Sequence, residues 1–291
     1  MHFKQLGRTD VKLPAIGMGT WEMGGARERD DSYDEEAIKA IRKAIELGLN
    51  LIDTAEMYGA GHCEEVVGEA IKPFPREKLF IVTKVWHNHL HHDDVIKAAE
   101  NSLKRLRTDW IDLYLIHFPN PEVPLIETMQ AMEKLVGRKL IRFIGVSNFN
   151  ISQVEEAKSH LSENEIVANQ VDYSLLVRGR ERDLIPYCQK SRITVMAFKP
   201  LAKPSAKGGL SQNEFLQEIG KKYGKTPAQV ALNWLISKEP VIAIPKAMNL
   251  DHLEENTGAM GWALAQEDME SISTNFSGYL SEYGITRPSL T

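Results

Sequence analysis

The sequence predicts an α/β protein built as one (β/α)8 TIM barrel, with a β-hairpin before the barrel and extra helices after it. Three observations lead there. From Ile16 onward, eight short apolar runs alternate with stretches of helical periodicity. The runs are apolar at consecutive positions, as expected of parallel strands covered on both faces. No G-x-G-x-x-G joins a strand to a helix, and Gly17 and Gly19 are followed by Trp21 and Glu22, so an open doubly wound sheet lacks its usual signature. A chain of 291 residues with 43% hydrophobic content can bury a core of this size. We read residues 1–291 as a single barrel domain.

The elements follow in order. Residues 2–14 form a hairpin that turns at Gly7-Arg8-Thr9-Asp10. Ile16 to Trp21 is a short strand entering a polar, glycine-bearing loop at 24–33. Asp34 caps a helix whose apolar residues Ala37, Ile38, Ile41, Ala44 and Ile45 share one side, and Gly48 ends it. The run 49–53 comes next and stops at Asp53. Helix 63–72 ends before Pro73 and Pro75, and strand 79–84 stops at Lys84. Helix 93–107 carries Val95, Ile96, Ala99, Leu103 and Leu106 on one side, and strand 110–116 leads into His117. Helix 124–137 precedes strand 141–146, which runs into Ser147-Asn148. Helix 151–160 precedes strand 166–170, which ends at Gln170. Helix 180–191 precedes strand 193–197, which runs into Phe198-Lys199-Pro200. An insertion with Lys203, Pro204, Gly208 and Gly209 separates it from helices 211–223 and 227–237, the second starting on Pro227. Strand 241–244 runs into Pro245-Lys246. Helical segments near 250–258 and 266–274 close the chain, and the tail 277–291 is expected to be a surface strap or partly disordered.

In such a barrel the carboxyl ends of all the strands open on one side, and chemistry gathers there. Asp53, Lys84, His117, Ser147, Asn148, Gln170, Phe198 and Lys246 all fall at those ends. Singly, each has a plain structural explanation: an aspartate caps a turn, a lysine reaches solvent. Their repetition at strand ends sets them apart. A carboxylate at the tip of a buried strand is costly unless a cation meets it. Lys84 can meet Asp53 if their strands are neighbours, and Tyr58, five residues past Asp53, then lies beside the ammonium. An isolated phenol has a pKa of about 10, and a nearby ammonium favours the phenolate and lowers that value. His117 supplies a second hydrogen bond to the same substrate oxygen. Two donors on one oxygen stabilise a developing alkoxide, which forms when a hydride attacks a carbonyl. None of the four residues is a hydride source, so a nicotinamide cofactor is required. A Schiff-base aldolase with Lys84 as nucleophile is the competing enzyme class; Asp53 argues against it, because a paired lysine keeps its proton.

Composition narrows the partners. A net charge of −5 points to neither nucleic acid nor an anionic membrane. Cys63 and Cys188 have no disulfide or zinc spacing and read as packing residues in a reducing compartment. The start, Met1 to Leu6, lacks the apolar core of a signal peptide, and no apolar run is long enough to span a bilayer, so a cytoplasmic protein is expected. The histidine-rich stretch His87 to His92 reads as a solvated loop and helix start, with some of its histidines edging the substrate pocket, and no metal site is assigned there or elsewhere. Lys221-Lys222 and the stretch Arg178 to Arg182 read as solvated surface.

Several motifs, in this order along the chain, resemble those of the aldo-keto reductases. They are Gly48-Leu49-Asn50-Leu51-Ile52-Asp53-Thr54-Ala55 with Tyr58 and Gly59, Lys84-Val85-Trp86, Leu103-Lys104-Arg105-Leu106, Asp112 to His117, Gly145-Val146-Ser147-Asn148-Phe149, and Ile244-Pro245-Lys246 followed by Glu255-Asn256. The resemblance spans Gly17 to about Asn256. It implies a monomer-type (β/α)8 oxidoreductase that uses NADPH, with NADH as a further possibility, on a small-molecule carbonyl or alcohol, as a monomer or weak homo-oligomer. Tyr58 is then the general acid, tuned by Asp53 and Lys84, and His117 orients the carbonyl. Ser147, Asn148 and Gln170 hold the nicotinamide carboxamide. Phe198 stacks on the ring where the family usually has tyrosine, and Lys199-Pro200-Leu201 passes under the pyrophosphate where Ser-Pro-Leu is usual. Gly19, Thr20, Trp21, Asp53, Lys246, His252, Glu255 and Asn256 complete the implied cofactor contacts. Trp21, Met57, Trp86, His117 and Phe118 line the substrate side. A redox-sensing, nicotinamide-binding regulatory subunit is the alternative within the family, and the intact set Asp53, Tyr58, Lys84 and His117 favours turnover over it.

One departure from the family pattern bears on the cofactor. After Lys246 the family often places Ser or Thr, and six residues after it an Arg, which together grip the adenosine 2′-phosphate. Ala247 and His252 stand there instead, and a histidine is only partly charged at neutral pH. NADPH is therefore expected to be preferred only moderately. Steady-state kinetics of Lys246→Ala should show the Michaelis constant for NADPH rising more than that for NADH. An equal rise for both would remove Lys246 from the 2′-phosphate.

Overall fold

Parallel pairing of eight strands builds the barrel. The computed structural model describes residues 2–202, 209–282 and 284. A hairpin of β1 (Phe3–Gln5) and β2 (Lys12–Pro14) precedes it. The barrel strands are β3 (Met18–Gly19), β4 (Leu51–Asp53), β5 (Phe80–Val85), β6 (Ile111–Ile116), β7 (Ile141–Ser147), β8 (Ile166–Asp172), β9 (Thr194–Phe198) and β10 (Val241–Ile244). Each pairs in parallel with its sequence neighbour. Parallel bridges Ile16 to Ala243 and Gly19 to Lys246 bring the first strand against the last and close the ring. The helices between them are α1 (Asp34–Glu46), α2 (His62–Ile71), α3 (His92–Leu106), α4 (Leu125–Gly137), α5 (Ile151–Ser159), α6 (Leu184–Ser191), α7 (Glu214–Tyr223) and α8 (Pro227–Ile236). Past the last strand come α9 (Leu250–Thr257) and α10 (Gln266–Asn275).

Alternation along the strands places the site. Leu51, Phe80, Val82, Leu113, Leu115, Phe143, Ala168, Met196, Ile242 and Ile244 form one apolar cluster inside the ring. Leu6 and Leu13 of the hairpin join it, so the hairpin plugs the floor. Side chains two residues apart share a face. Continuing upward from the plug, Leu51 is followed by Asp53, Val82 by Lys84, Leu115 by His117, Gly145 by Ser147 and Ala168 by Gln170. The top interior layer is thus polar and sits on a dry floor. At Gly145 a side chain does not fit: an added Cβ would stand 2.5 Å from Leu115 Cδ2.

The boundaries differ from the sequence reading where local hydrogen bonds decide them. Asp34 is the first residue of α1 and not its cap; Tyr33 takes the cap position, and the Asp34 carboxylate reaches His62 Nε2 instead, at 2.9 Å. The helix read at 180–191 divides into a 3-10 turn, Gly179–Arg182, and α6, because the Asp183 side chain accepts from Leu184 N and restarts the helix. The helix read at 211–223 begins with a 3-10 turn, Leu210–Gln212, and Asn213 then caps α7. Around Ile16 to Trp21 the ladder is only Met18–Gly19 plus the closing bridges. The α5 and α8 starts carry full capping boxes, Asn150 with Gln153 and Thr226 with Gln229. Lys203, Pro204 and Gly208 of the insertion, and the tail beyond 284, lie outside the described residues.

A buried ion pair ties α2 to its neighbours. Glu64 is fully buried, accepts from Thr83 Oγ1 at 2.5 Å and from Arg105 Nε at 2.7 Å, and so joins α2, β5 and α3. Burial pushes the Glu64 carboxyl up, and the Arg105 charge pulls it back down. Removing one partner of a buried pair leaves an uncompensated charge, a cost of about 3–5 kcal/mol. Arg105→Met should therefore lose stability near the low end of that range, since the guanidinium is partly exposed. Denaturant unfolding measures it, and a loss below about 1 kcal/mol, the worth of a surface pair, would contradict the assignment.

Candidate active site

Three groups meet one buried ammonium at the end of β5. Lys84 is fully buried. Its Nζ donates to Asp53 Oδ2 at 2.9 Å, to the Thr54 carbonyl at 2.7 Å and to Tyr58 Oη at 3.2 Å. All three protons of the ammonium have acceptors. Asp53 Oδ1 in turn accepts from Gln170 Nε2 at 2.8 Å, a contact made across the barrel. Ser147 Oγ donates to the Gln170 carbonyl at 2.9 Å, and Asn148 Nδ2 donates to the His117 carbonyl and to Ser147 Oγ, both at 3.0 Å. One polar chain therefore links Tyr58, Lys84, Asp53, Gln170, Ser147, Asn148 and His117.

An aromatic wall stands beside it. The Trp21 ring meets Tyr58 edge-on at 4.7 Å between centroids. Tyr58 faces His117 at 5.7 Å, and Trp86 packs on His117 at 4.9 Å and on Phe118 at 5.8 Å. His87 lies against Trp86 at 4.6 Å, so one residue of the histidine-rich loop does edge this wall. Met57 is half-buried just before Tyr58.

Of the remaining residues singled out by sequence, Thr20 reaches the polar chain through the Asp53 backbone. Gly19 donates to the Pro245 carbonyl at 3.0 Å, and the Thr20 hydroxyl donates to the Asp53 carbonyl at 2.9 Å. Phe198 ends β9, with the Lys199 ammonium 5.4 Å from its ring centroid and 3.8 Å from Asp172 Oδ2. Pro200 is buried and Leu201 half-buried. Lys246 is exposed beside the closing bridge to Gly19. On α9, His252 is exposed, Glu255 is half-buried and Asn256 is buried.

Electrostatics separates the roles the groups can play. Burial lowers the His117 pKa well below the usual imidazole value, and the Lys84 charge lowers it further. His117 is therefore a neutral ring with one N–H to give. Burial works against the Lys84 charge, yet Asp53 and the phenol hold its pKa above the ordinary lysine value. The sequence reading expected Tyr58 to be lowered. Instead burial pushes the phenol up to about 12, and Lys84 offsets only part of that rise. The thiols are inert: burial raises Cys63 to about 11 and Cys188 to about 12.

The family model described as Aldo/keto reductase family matches residues 15–274. The chain belongs to that family. This aldo/keto reductase is 42% identical over 264 residues to methylglyoxal reductase YeaE of Escherichia coli (strain K12), covering 90% of this chain and 91% of that one. Among solved structures, the thermostable aldo-keto reductase Tm1743, in complex with the inhibitor epalrestat, matches with a TM-score of 0.89 at 48% identity, over 94% of this chain and 99% of that one. An aldo/keto reductase from Klebsiella pneumoniae in complex with NADP and acetate matches with a TM-score of 0.87 at 36% identity, over 98% of this chain and 97% of that one.

Several participants in this aldo/keto reductase site had no local sequence signal. The Thr54 carbonyl holds Lys84 through the backbone, which no residue type announces. Gln170 is expected as a cofactor contact, and its amide also donates to Asp53 Oδ1, a partner 117 residues away. The Glu56 carboxylate also belongs to the site: it accepts from Trp86 N at 2.5 Å and meets His89 Nδ1 at 3.0 Å, pinning the loop that carries the Trp86 wall. An acid two residues before Tyr58 was the available hint.

Proposed function

We propose that this aldo/keto reductase reduces small aldehydes and ketones, 2-oxoaldehydes such as methylglyoxal among them, to alcohols, with NADPH as the preferred cofactor and NADH a weaker one. The observation that carries the reading is the buried Lys84 ammonium, in contact with both Asp53 and Tyr58 while His117 stays neutral. Support for the substrate class comes from the relative that acts on methylglyoxal, and support for the cofactor from the neighbour that holds NADP.

The residues present fit a nicotinamide. Asn148 Oδ1 is buried with no hydrogen-bond donor, an acceptor suited to a carboxamide N–H. Ser147 and Gln170 stand beside it, and Phe198 offers a ring face at the end of β9. Lys199, Pro200 and Leu201 follow for the pyrophosphate, with Gly19, Thr20, Trp21, Lys246, His252, Glu255 and Asn256 as further contacts. When bound, the nicotinamide supplies the hydride that the carbonyl carbon receives.

The chain's own residues handle the proton. Tyr58 gives its phenolic proton to the carbonyl oxygen. A pKa above neutrality keeps that proton in place until it is needed, and an alkoxide is a far stronger base than a phenolate, so transfer runs downhill. Lys84, 3.2 Å from the phenol oxygen, stabilises the phenolate left behind. Asp53 keeps Lys84 charged and fixed. His117 is too weakly basic to be the acid, and donates its N–H to the same oxygen as an oxyanion-hole donor. Trp21, Met57, Trp86 and Phe118 exclude water around the carbonyl. A Schiff base at Lys84 is disfavoured because the amine is held protonated by three acceptors. Among the described residues no helix is long and apolar enough to cross a membrane; with two buried free thiols, we place the enzyme in the cytoplasm, as a monomer or weak homo-oligomer.

Tyr58→Phe tests this reading, since it keeps the ring and removes the donor. Loss of a general acid costs about 10² to 10⁴ in rate. That loss should fall on kcat for a reactive aldehyde, while NADPH affinity, followed by fluorescence, stays close to wild type. Near wild-type turnover, under conditions where chemistry limits the rate, would refute the mechanism.

A further inference from the structure

Tyr58 is delivered by an unusual piece of backbone. The three residues after it, Gly59, Ala60 and Gly61, have φ of 56°, 52° and 95°, all in the left-handed region. Ala60 is strained there, because its Cβ crowds the backbone. Gly59 packs so closely that an added Cβ would stand 2.0 Å from the Gly24 carbonyl, and its N–H donates to the Ala26 carbonyl at 3.0 Å. Such a conformation persists only where its surroundings over-determine it. At one end the phenol contacts Lys84. At the other end, the first residue of α2 is His62.

His62 is 5% exposed, and carboxylates face both of its ring nitrogens. Nδ1 lies 2.8 Å from Glu65 Oε2 of its own helix. Nε2 lies 2.9 Å from Asp34 Oδ1, at the start of α1, and 3.0 Å from Asp31 Oδ1, in the loop that follows Trp21. Arg29 of that loop joins the same carboxylates, at 2.7 Å from Asp31 and 2.8 Å from Glu65. Asp30 of that loop also feels the charge of the ring. From α3, Arg105 lies under Gly61 and is paired with Glu64. A neutral imidazole has one N–H, so one nitrogen would turn a lone pair toward a carboxylate. Only the imidazolium satisfies both sides.

We propose that His62 is a positioning residue for Tyr58: its imidazolium ties the start of α2 to α1 and to the Trp21 loop, and so holds the strained turn that presents the phenol. The inference rests on Tyr58 being the proton donor. Burial lowers the affinity of His62 for its proton, but the hydrogen bonds to Glu65 and Asp34 outweigh burial and raise its pKa above the usual value. The sign follows. The clamp is fully present below the unfolded histidine value of about 6.5, and is lost as pH rises through the higher folded value.

The test is kcat for methylglyoxal at saturating NADPH, from about pH 6 to about pH 9, in the full chain and in His62→Gln, Asp34→Asn and the double variant. At the acid end His62→Gln should be about tenfold slower, since a small misplacement of a reacting group costs up to about 10²-fold, with the Michaelis constant for NADPH unchanged. The wild-type to variant ratio should then fall toward one as pH rises through the His62 titration. The double variant should be no slower than the slower single. Asp34→Asn keeps the histidine, and should move the inflection to lower pH. A ratio that stays flat with pH, additive single effects, or an inflection unmoved by Asp34→Asn would overturn the proposal. If Tyr58→Phe is crippled while His62→Gln turns over normally at every pH, the proposal fails and the proton-donor reading stands; if Tyr58→Phe is normal, that reading itself has failed.

Discussion

The pairing of Lys84 with Asp53 is the interaction on which the site depends. Taking a carboxylate and an ammonium out of water costs several kcal/mol per ion, and the pair persists only if its remaining hydrogen-bonding capacity is met. That requirement organises the neighbours. Thr54 must turn its carbonyl inward, Gln170 must reach across the barrel to Asp53 Oδ1, and the third ammonium proton needs an acceptor, which is the Tyr58 oxygen. The phenol is thus placed by the need to satisfy a buried lysine. The same positive charge, added to burial, keeps His117 neutral. One ion pair therefore sets two environments: a phenol that keeps its proton beside the ammonium, and an imidazole that stays neutral.

The barrel supplies the setting for this pair. Its interior below the polar layer is apolar and closed by the hairpin residues Leu6 and Leu13. A dry floor weakens screening, so each charge above it acts strongly on its neighbours. The opposing effects on Tyr58 follow. Burial alone moves the phenol up, the ammonium moves it down, and the balance lies near 12. Around this rigid layer sit the loops that carry Trp21, Trp86 and the turn after Tyr58. Glu56 pins the Trp86 loop, and His62 with its carboxylates pins the turn.

Much of this was legible in the sequence, for a physical reason. Strands buried on both faces are short unbroken apolar runs, and a polar residue at the end of such a run has few places to go. Asp53, Lys84, His117, Ser147 and Gln170 stand out on that ground alone, and the structure brings them together. The boundaries that differ are those set by a side chain capping a backbone group: Asp183 before α6 and Asn213 before α7 have the residue type of a cap, but each lies inside a longer run of helical pattern. Asp34 misled for the opposite reason. It has the residue type of a cap, but a buried histidine 28 residues on is the stronger partner. The upward shift of Tyr58 was out of reach, because a sequence names the neighbouring lysine and not how deeply the phenol is buried. The contact of Gln170 with Asp53 spans 117 residues and has no local trace.

The central claim is that the Lys84 charge acts directly on the Tyr58 proton. Its most direct measurement is the titration of Tyr58 itself, followed by ¹³Cζ NMR of labelled tyrosine in the wild type and in Lys84→Met. The account predicts that the phenol in the variant titrates at a higher pH than in the wild type, because the ammonium that offsets burial is gone. An unchanged or lower value in a folded Lys84→Met protein would contradict it.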